Sequence, residues 1–231
     1  MRPHHAQARR QALTIDELPP DAGGAAPGIE YLDKEEAPTG TASGAKARVR
    51  KLAFAARRAA HGTGLDARGC AHLERLLERL PEGCVVAGYM PIRTEISPLP
   101  VMAALAARGV PVCVPVIRGA GRALVFSRWS PGCAMVDGPF GAAVPRNEDL
   151  LVPDILITPL LAFDAQGHRL GYGGGFYDRT FAALRQGGGA IGIGFAYDAQ
   201  ERDDLPVEPT DQPLDAVVTE TGTRRFRDLP F

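Results

Sequence analysis

The chain has 231 residues, of which 45% are hydrophobic, enough to form one substantial core. Its 26 basic and 27 acidic residues give a formal net charge of −1, so no overall field would draw it to nucleic acid or to a membrane surface. No apolar run approaches the ~18–20 residues of a membrane span, and the N-terminus lacks the apolar region of a secretory signal. The cysteines lack metal-site spacing and are few for a disulfide scaffold: Cys70, Cys84, Cys113 and Cys133. We therefore expect a cytoplasmic protein with reduced thiols and no nucleic-acid or membrane partner.

Residues 1–44 combine prolines, glycines and an acidic cluster without sustained apolar periodicity. This composition predicts a disordered tail over 1–44, followed by one catalytic domain over 45–231. The first dozen residues are basic, as in transit peptides, but basic tails without a targeting role are more common.

Four stretches have helical composition. Residues 45–60 are rich in helix formers, with Val49, Leu52 and Phe54 available for an inner face. Residues 66–80 carry a leucine stripe and begin at Asp66, which we expect to be the N-cap. Further helices are predicted over 98–108 and 178–185. The basic residues of the first helix that no motif claims are interpreted as a solvated face: Arg48, Lys51, Arg57 and Arg58.

Short apolar segments between these helices predict strands. Several are uninterrupted, as expected for a sheet covered on both faces. The alternation with helices indicates crossover connections and a mostly parallel sheet, so the fold class is α/β. Residues 130–145 have no clear period and are predicted to form a loop or covering segment. The predicted strands are 85–90, 110–116, 124–129, 155–163, 190–195 and 216–219.

A glycine-rich segment at 169–179 reads Arg-Leu-Gly-Tyr-Gly-Gly-Gly-Phe-Tyr-Asp-Arg. Four glycines within five positions let backbone N–H groups approach an anion closely, and Arg169 and Arg179 add positive charge. The spacing matches neither a P-loop nor the Gly-x-Gly-x-x-Gly dinucleotide motif. Since glycine loops also serve as plain turns, the segment by itself predicts only an anion site.

This segment, together with Pro-Leu-Leu-Ala-Phe-Asp-Ala-Gln-Gly at 159–167, closely resembles the motif of the 5-formyltetrahydrofolate cyclo-ligases, also called methenyltetrahydrofolate synthetases. Three further stretches follow the order of that family: Lys46-x-x-Val49-Arg50, Tyr-Met-Pro-Ile-Arg-Thr-Glu at 89–95, and Pro-Thr-Asp-Gln-Pro-Leu-Asp at 209–215. The resemblance covers residues 45–220 and leaves the tail without a counterpart.

The resemblance implies a three-layer α/β/α fold with a mostly parallel sheet, of the type shared with sugar-phosphate isomerases and CoA transferases (NagB/RpiA/CoA transferase-like). It also implies an ATP-dependent, C–N bond-forming enzyme that converts 5-formyltetrahydrofolate to 5,10-methenyltetrahydrofolate, with ATP as co-substrate and Mg²⁺ as cofactor. Two alternatives stay open: a nucleotide- or folate-binding protein without turnover, and a related ligase for another formyl or carboxyl substrate. We expect small-molecule partners, a reduced folate and ATP, and a monomer.

The resemblance also implies roles for individual residues. Lys46 and Arg169 would act in catalysis, and the alternative for Arg169 is a salt bridge to Asp164 or another nearby acid. Met90 and Glu95 would contact the folate, although a strand-end methionine is usually packing and a strand-end glutamate is usually at the surface. The loop residues that would face both substrates are Tyr172, Gly173, Gly174, Gly175 and Phe176. The full set implied for ATP is Lys46, Arg50, Arg169, Leu170, Gly171, the same five loop residues and Tyr177.

Two aspartates are the implied magnesium ligands. Magnesium prefers hard oxygen ligands and commonly takes one or two protein carboxylates together with phosphate oxygens and water. Asp178 would be the first carboxylate, and its alternative role is a helix N-cap. Asp211 would be the second, with Asp215 as a competitor that spacing alone does not separate.

Overall fold

The computed structural model describes residues 42–231. The predicted tail lies outside the described residues except for positions 42–44. These three positions are helical, because the first helix, α1, spans Ala42–Ala60 rather than beginning at residue 45. The helix thus extends three residues into the stretch assigned to the tail.

The described part of the chain contains α1 and three further α-helices, α2 (Asp66–Leu76), α3 (Leu99–Ala107) and α4 (Phe176–Gln186). Its strands are, in chain order, β1 (Val86–Ala87), β2 (Val112–Val116), β3 (Val125–Arg128), β4 (Met135–Val136), β5 (Val144–Pro145), β6 (Leu150–Leu151), β7 (Ile155–Thr158), β8 (Ala162–Phe163), β9 (Arg169–Leu170), β10 (Ile191–Phe195), β11 (Ala216–Thr219) and β12 (Gly222–Arg225).

The main sheet has eight strands in the order β12-β11-β10-β7-β1-β2-β3-β6. The five central strands, from β11 to β2, run parallel, whereas the outer strands β12, β3 and β6 pair antiparallel, with β12 and β6 at the two edges. In the register, Val86 lies opposite Ile155 on one side and Val112 on the other. The prediction of a mostly parallel sheet is confirmed.

Helices cover both faces of this sheet. Val86 belongs to a core cluster with residues of α2 and α3, whereas the next residue, Ala87, belongs to a second cluster with Phe181 of α4. Successive strand residues point to opposite faces, so the two clusters are the two sides of one sheet. The predicted three-layer α/β/α fold is confirmed. Among the described residues no helix is long and apolar enough to cross a membrane.

Several predicted boundaries are wrong for local reasons. The apolar run 155–163 forms two strands, since β7 ends before Pro159 and β8 pairs with β9 in a separate hairpin. Residues 130–145, predicted as a loop or covering segment, include the β4–β5 hairpin. The helix predicted over 66–80 ends at Leu76, and Asp66 is its first residue rather than an N-cap. Asp66 instead accepts a hydrogen bond from the Tyr197 hydroxyl at 2.7 Å.

The carboxyl edge of the central strands carries the sequence motifs. Beyond the end of β7 the chain enters the β8–β9 hairpin, and α1 packs on that hairpin through Val49 and Ala53, which contact Leu161, Ala162 and Leu170. The glycine-rich segment follows β9 directly and leads into α4. Binding sites of open parallel sheets lie at this edge, where loops gather around the strand ends.

Candidate active site

The loop at 171–175 joins β9 to α4 through a turn that requires glycine. Gly175, directly before the helix, has φ of 62°, in the left-handed region that favours glycine. A Cβ atom there would lie 2.7 Å from Nη1 of Arg179. Gly173 is also left-handed, with φ of 102°, and lies against the Arg50 guanidinium. The glycines thus set the path of the loop and let α1 approach it closely.

Two basic residues of α1 reach this loop region. Arg50 donates from Nε to the Gly171 carbonyl at 3.0 Å. The Lys46 side chain is buried, and its Nζ lies 2.9 Å from Oδ2 of Asp211 and 3.0 Å from Oε2 of Glu208. Burial lowers the pKa of Lys46, but the hydrogen bonds and charges of Asp211 and Glu208 outweigh it and raise the pKa above its usual value. Lys46 is therefore a fully charged ammonium group held between two carboxylates.

Arg169 forms an ion pair with Asp178 instead of Asp164. Its Nη2 donates to Oδ1 of Asp178 at 2.9 Å, and its guanidinium lies 5.9 Å from the Tyr177 ring and 5.6 Å from the Phe181 ring. The Nε atom of Arg169 is buried without a hydrogen-bond partner. Asp178 does not cap α4, because the N-cap position is Gly175 and the helix has no side-chain cap. Asp164 pairs with His168 at 2.8 Å.

The two competing aspartates have different surroundings. Asp215 accepts the Gly192 amide at 2.7 Å and Arg185 at 3.0 Å, and it lies 3.3 Å from Arg227. These contacts tie β11 to β10 and to α4. Asp211 precedes Gln212, whose amide donates to Oδ1 of Asp178 at 3.0 Å. The backbone thus places Asp211, and not Asp215, one residue from the Asp178 contact.

Glu95 contacts the loop through Tyr172 and is buried, so the alternative of a surface glutamate is wrong. Its Oε1 accepts the Tyr172 hydroxyl and its Oε2 accepts the Ile92 amide, both at 2.9 Å. The Glu95 amide donates in return to the Ile92 carbonyl, in a turn that places Arg93 at φ of 55°. Burial raises the pKa of Glu95, while the Ile92 amide, the nearby Arg57 and the Tyr172 hydroxyl act to lower it.

Arg57 is part of this site, and its interpretation as a solvated residue is wrong. The side chain is 1% exposed, with Nε donating to Thr94 at 3.1 Å and Nη2 to the Tyr172 hydroxyl at 2.8 Å. Its Nη1 lies 3.7 Å from Oε1 of Glu95. Helical spacing could have identified it, because residues 46, 49, 50, 53 and 57 follow one face of a helix and Val49 marks that face as buried.

The remaining residues predicted for the site lie in this region or pack in the core beside it. Met90 is partly buried and packs against the core cluster of α2 and α3, as the packing alternative for it expects. Leu170 is buried against α1. Tyr172 meets Phe54 edge-on, with ring centroids 5.5 Å apart. Burial raises the pKa of Tyr177, so its hydroxyl stays neutral at physiological pH.

The profile of the 5-formyltetrahydrofolate cyclo-ligase family matches residues 42–220. The chain belongs to this family. It is accordingly a ligase of folate metabolism, of the 5-formyltetrahydrofolate cyclo-ligase class, and the resemblance found in the sequence is confirmed. The match covers all the motif residues described above.

Individual relatives agree with this assignment. The chain is 45% identical over 96 residues to the 5-formyltetrahydrofolate cyclo-ligase of Haemophilus influenzae, which is 39% of this chain and 51% of that protein. It is 39% identical over 141 residues to that of Escherichia coli K12, which is 58% of this chain and 76% of that protein. The aligned region thus spans about half of the first relative and three quarters of the second.

Solved structures support the same fold. The 5,10-methenyltetrahydrofolate synthetase of Aquifex aeolicus matches with a TM-score of 0.64 and 30% identity, over 80% of this chain and 95% of that one. The synthetase of Mycoplasma pneumoniae matches with a TM-score of 0.59 and 24% identity, over 76% and 98% of the two chains. The second likeness speaks for the fold alone.

Proposed function

We propose that the protein converts 5-formyltetrahydrofolate and ATP to 5,10-methenyltetrahydrofolate, ADP and phosphate. The observation that carries this proposal is the double attachment of the glycine loop. The Gly171 carbonyl accepts a hydrogen bond from Arg50 of α1, and the hydroxyl of the next residue, Tyr172, donates to Glu95. One loop therefore joins a cationic region suited to phosphates to a buried carboxylate suited to a pterin, as a reaction between two bound substrates requires.

The chemistry explains why both halves are needed. A formyl group on nitrogen is a poor electrophile, since the nitrogen lone pair delocalises into the carbonyl, and its oxygen is a poor leaving group. Transfer of the γ-phosphoryl group from ATP to the formyl oxygen releases ADP and corrects both defects. N10 of the folate then attacks the activated carbon, and phosphate departs with the former formyl oxygen. The attack also releases the N10 proton, which becomes strongly acidic once N10 has bonded to the carbon and can pass to the departing phosphate or to water, so a poised side-chain base is unnecessary.

On the nucleotide side, we propose that Lys46, Arg50 and Arg169 bind the phosphates. Their charges would neutralise the negative charge that shifts toward the leaving ADP and onto the formyl oxygen. The glycine loop would contribute backbone N–H groups at the start of α4, where the helix dipole also favours an anion. The Nε atom of Arg169, buried without a partner, is a donor that the Asp178 pair leaves unused.

The carboxylates of this region suit magnesium. The described residues hold no cluster of three or more side chains that would cage a metal by themselves. Asp178 and Asp211, linked through the Gln212 amide, offer the one or two carboxylates that magnesium takes when phosphates complete its shell. Bound there, Mg²⁺ would neutralise phosphate charge and orient the γ-phosphoryl group. Asp215 is left to its structural contacts.

On the folate side, we propose that Glu95 accepts two parallel hydrogen bonds from the amino-pyrimidine edge of the pterin. Each carboxylate oxygen already accepts one hydrogen bond, from Tyr172 and from Ile92, and an ionised oxygen has capacity for another. Met90, Phe176 and the ring of Tyr172 would supply apolar contact to the folate.

We further propose that the enzyme is cytoplasmic. All four cysteines of the chain fall within the described residues and are free thiols, as in proteins of reducing compartments. Burial raises the pKa of Cys84 and of Cys113 to about 12, so neither is a reactive thiolate at physiological pH.

A direct assay tests the proposal. Purified protein is mixed with 5-formyltetrahydrofolate, ATP and magnesium, and methenyltetrahydrofolate is followed by its near-ultraviolet absorbance, with reactions lacking ATP as the control. Folate binding without product would favour a binding protein. ATP turnover only with another formyl or carboxyl compound would favour a related ligase, and either result would overturn the proposal.

A further inference from the structure

Arg57 is a buried cation with no place in the reaction proposed above. It lies on α1 two turns beyond Arg50, on the face that packs against the glycine loop. We propose that Arg57 is a positioning residue for the folate substrate, which holds Glu95 as an oriented, ionised carboxylate facing the pterin. This inference rests on the proposed role of Glu95 as the pterin acceptor.

The contacts of Arg57 reach Glu95 by three routes. Its Nη2 donates to the Tyr172 hydroxyl, which in turn donates to Oε1 of Glu95. Its Nε donates to Thr94, the residue directly before Glu95. Its Nη1 lies 3.7 Å from the same Oε1, within ion-pair distance. One guanidinium thus contacts the Glu95 carboxylate, the Tyr172 hydroxyl and the turn at 92–95. Its planar arrangement of donors allows it to bind several partners at once.

Aromatic rings hold the guanidinium in place. Its central carbon lies 5.4 Å from the Phe54 ring centroid and 5.5 Å from that of Tyr172. The two ring centroids are themselves 5.5 Å apart, so both rings lie on the same side of the guanidinium, where their contacts restrict its freedom. The position of Glu95 is therefore determined by a rigid assembly that includes α1, the turn at 92–95 and the glycine loop.

The charge of Arg57 counteracts part of the rise that burial causes in the pKa of Glu95, alongside the Ile92 amide and the Tyr172 hydroxyl. Burial favours the neutral acid, which would replace an acceptor with a donor and remove one of the two pterin contacts. The other ionisable groups that face Glu95 are Arg93, which is exposed, and the phenols Tyr89 and Tyr177, whose pKa values burial raises. The phenols stay neutral over the physiological range, so they do not counteract the rise that burial causes in the pKa of Glu95. Arg57 is the buried cation in this set.

One nitrogen of Arg57 has no hydrogen-bond partner. Nη1 is buried and makes no hydrogen bond, although it lies beside Glu95. A buried donor without a partner is unfavourable, and a small shift of the carboxylate toward it would complete the bond. A purely structural arginine would be expected to use all its buried donors, whereas a group that restrains a ligand-binding carboxylate has a reason to leave one free.

The test uses the full-length protein and two matched variants. Arg57→Gln removes the charge, and Arg58→Gln removes the charge of the adjacent, exposed arginine. Binding of 5-formyltetrahydrofolate is measured by calorimetry from pH 6 to pH 8.5, separately from turnover. We expect Arg57→Gln to weaken folate binding about tenfold or more. The loss should grow as pH falls, because the pKa of Glu95 rises when the cation is removed and the carboxylate protonates at higher pH. Arg58→Gln should match the parent.

Three further measurements keep the proposal open to refutation if Arg57→Gln folds poorly. Thr94→Val removes only the acceptor of Nε and should give a smaller loss in the same direction. Arg57→Lys keeps the charge and should retain a pH profile closer to that of the parent. The ¹³C resonance of the Glu95 carboxyl group, followed against pH without ligand, should titrate higher in Arg57→Gln than in the parent.

The outcomes separate this inference from the proposed function. If the parent protein binds no folate, the proposed function fails. If the parent binds folate and Arg57→Gln loses affinity equally at every pH, or changes the KM for ATP as much as that for folate, Arg57 is a structural residue and the inference is wrong.

Discussion

Lys46 and Asp211, 165 positions apart in the chain, form a hydrogen-bonded ion pair with Nζ 2.9 Å from Oδ2. Arg169 and Asp178 form a second such pair. Each pair joins a cation proposed to bind phosphate to a carboxylate proposed to bind magnesium. Under the proposed function, binding of ATP and magnesium would break both ion pairs and exchange their partners. The two cations would then contact phosphate, and the two carboxylates would contact magnesium. Binding of ATP and of magnesium should therefore be mutually dependent.

The first prediction concerns this exchange. Asp211→Asn removes the charge that holds Lys46 and that repels phosphate, so ATP should bind about five- to tenfold more tightly when a chelator removes all magnesium. The gain in ATP affinity on adding magnesium should shrink at the same time. Calorimetric titration with and without magnesium measures both effects. The exposed Asp228→Asn serves as the control, and weaker metal-free ATP binding in Asp211→Asn would contradict the exchange.

Asp178→Ala should reduce magnesium-dependent turnover by at least about 100-fold, because the metal loses a ligand and Arg169 loses its partner. The measurement is kcat/KM for ATP over a range of magnesium concentrations, with thermal unfolding recorded to check that the variant is folded. Near-normal activity at ordinary magnesium concentrations would rule out the metal role of Asp178.

Glu95→Ala should raise the KM for folate more than the KM for ATP, because the carboxylate binds the Tyr172 hydroxyl of the loop and makes no contact with the Lys46–Asp211 pair. We expect a rise in folate KM of about tenfold or more, as for loss of hydrogen bonds to a charged group. The exposed Glu82→Ala is the matched control. Equal effects on the two substrates would refute the pterin assignment.

The glycine loop offers a pair of variants that separates stability from binding. Gly175→Ala introduces a Cβ at φ of 62° and 2.7 Å from Arg179, so it should lower the free energy of unfolding by about 1–2 kcal/mol, or the melting temperature by about 2–8 °C. Gly171 has no neighbouring atom within 4 Å of such a Cβ. Gly171→Ala should leave the melting temperature unchanged and weaken ATP binding. If both variants lose stability equally, the conformational argument for Gly175 is wrong.

Local sequence patterns predicted helices and strands correctly where no proline or tertiary contact interrupts the pattern. The strand at 216–219 has the predicted bounds, and α3 differs by one residue at each end. Predictions failed where tertiary contacts or prolines interrupt a pattern. The apolar run 155–163 looks like one strand, but Pro159 cannot donate to a ladder, and residues 162–163 pair with β9 rather than continue in the main sheet.

The sequence by itself determined the family, the α/β class and the residue types at the site, because the glycine loop and the flanking motifs are contiguous and keep their chemistry wherever the chain folds. Tertiary structure alone decided which side chains meet. Arg57 belongs to a basic run in the sequence, and only the packing of α1 on the loop buries it between Thr94, Tyr172 and Glu95. Asp211 and Asp215 are equal candidates by spacing, yet Asp215 is engaged by Gly192 and Arg185. Burial and the identity of a charged neighbour determine what an ionisable group does, and both depend on residues far away in the chain.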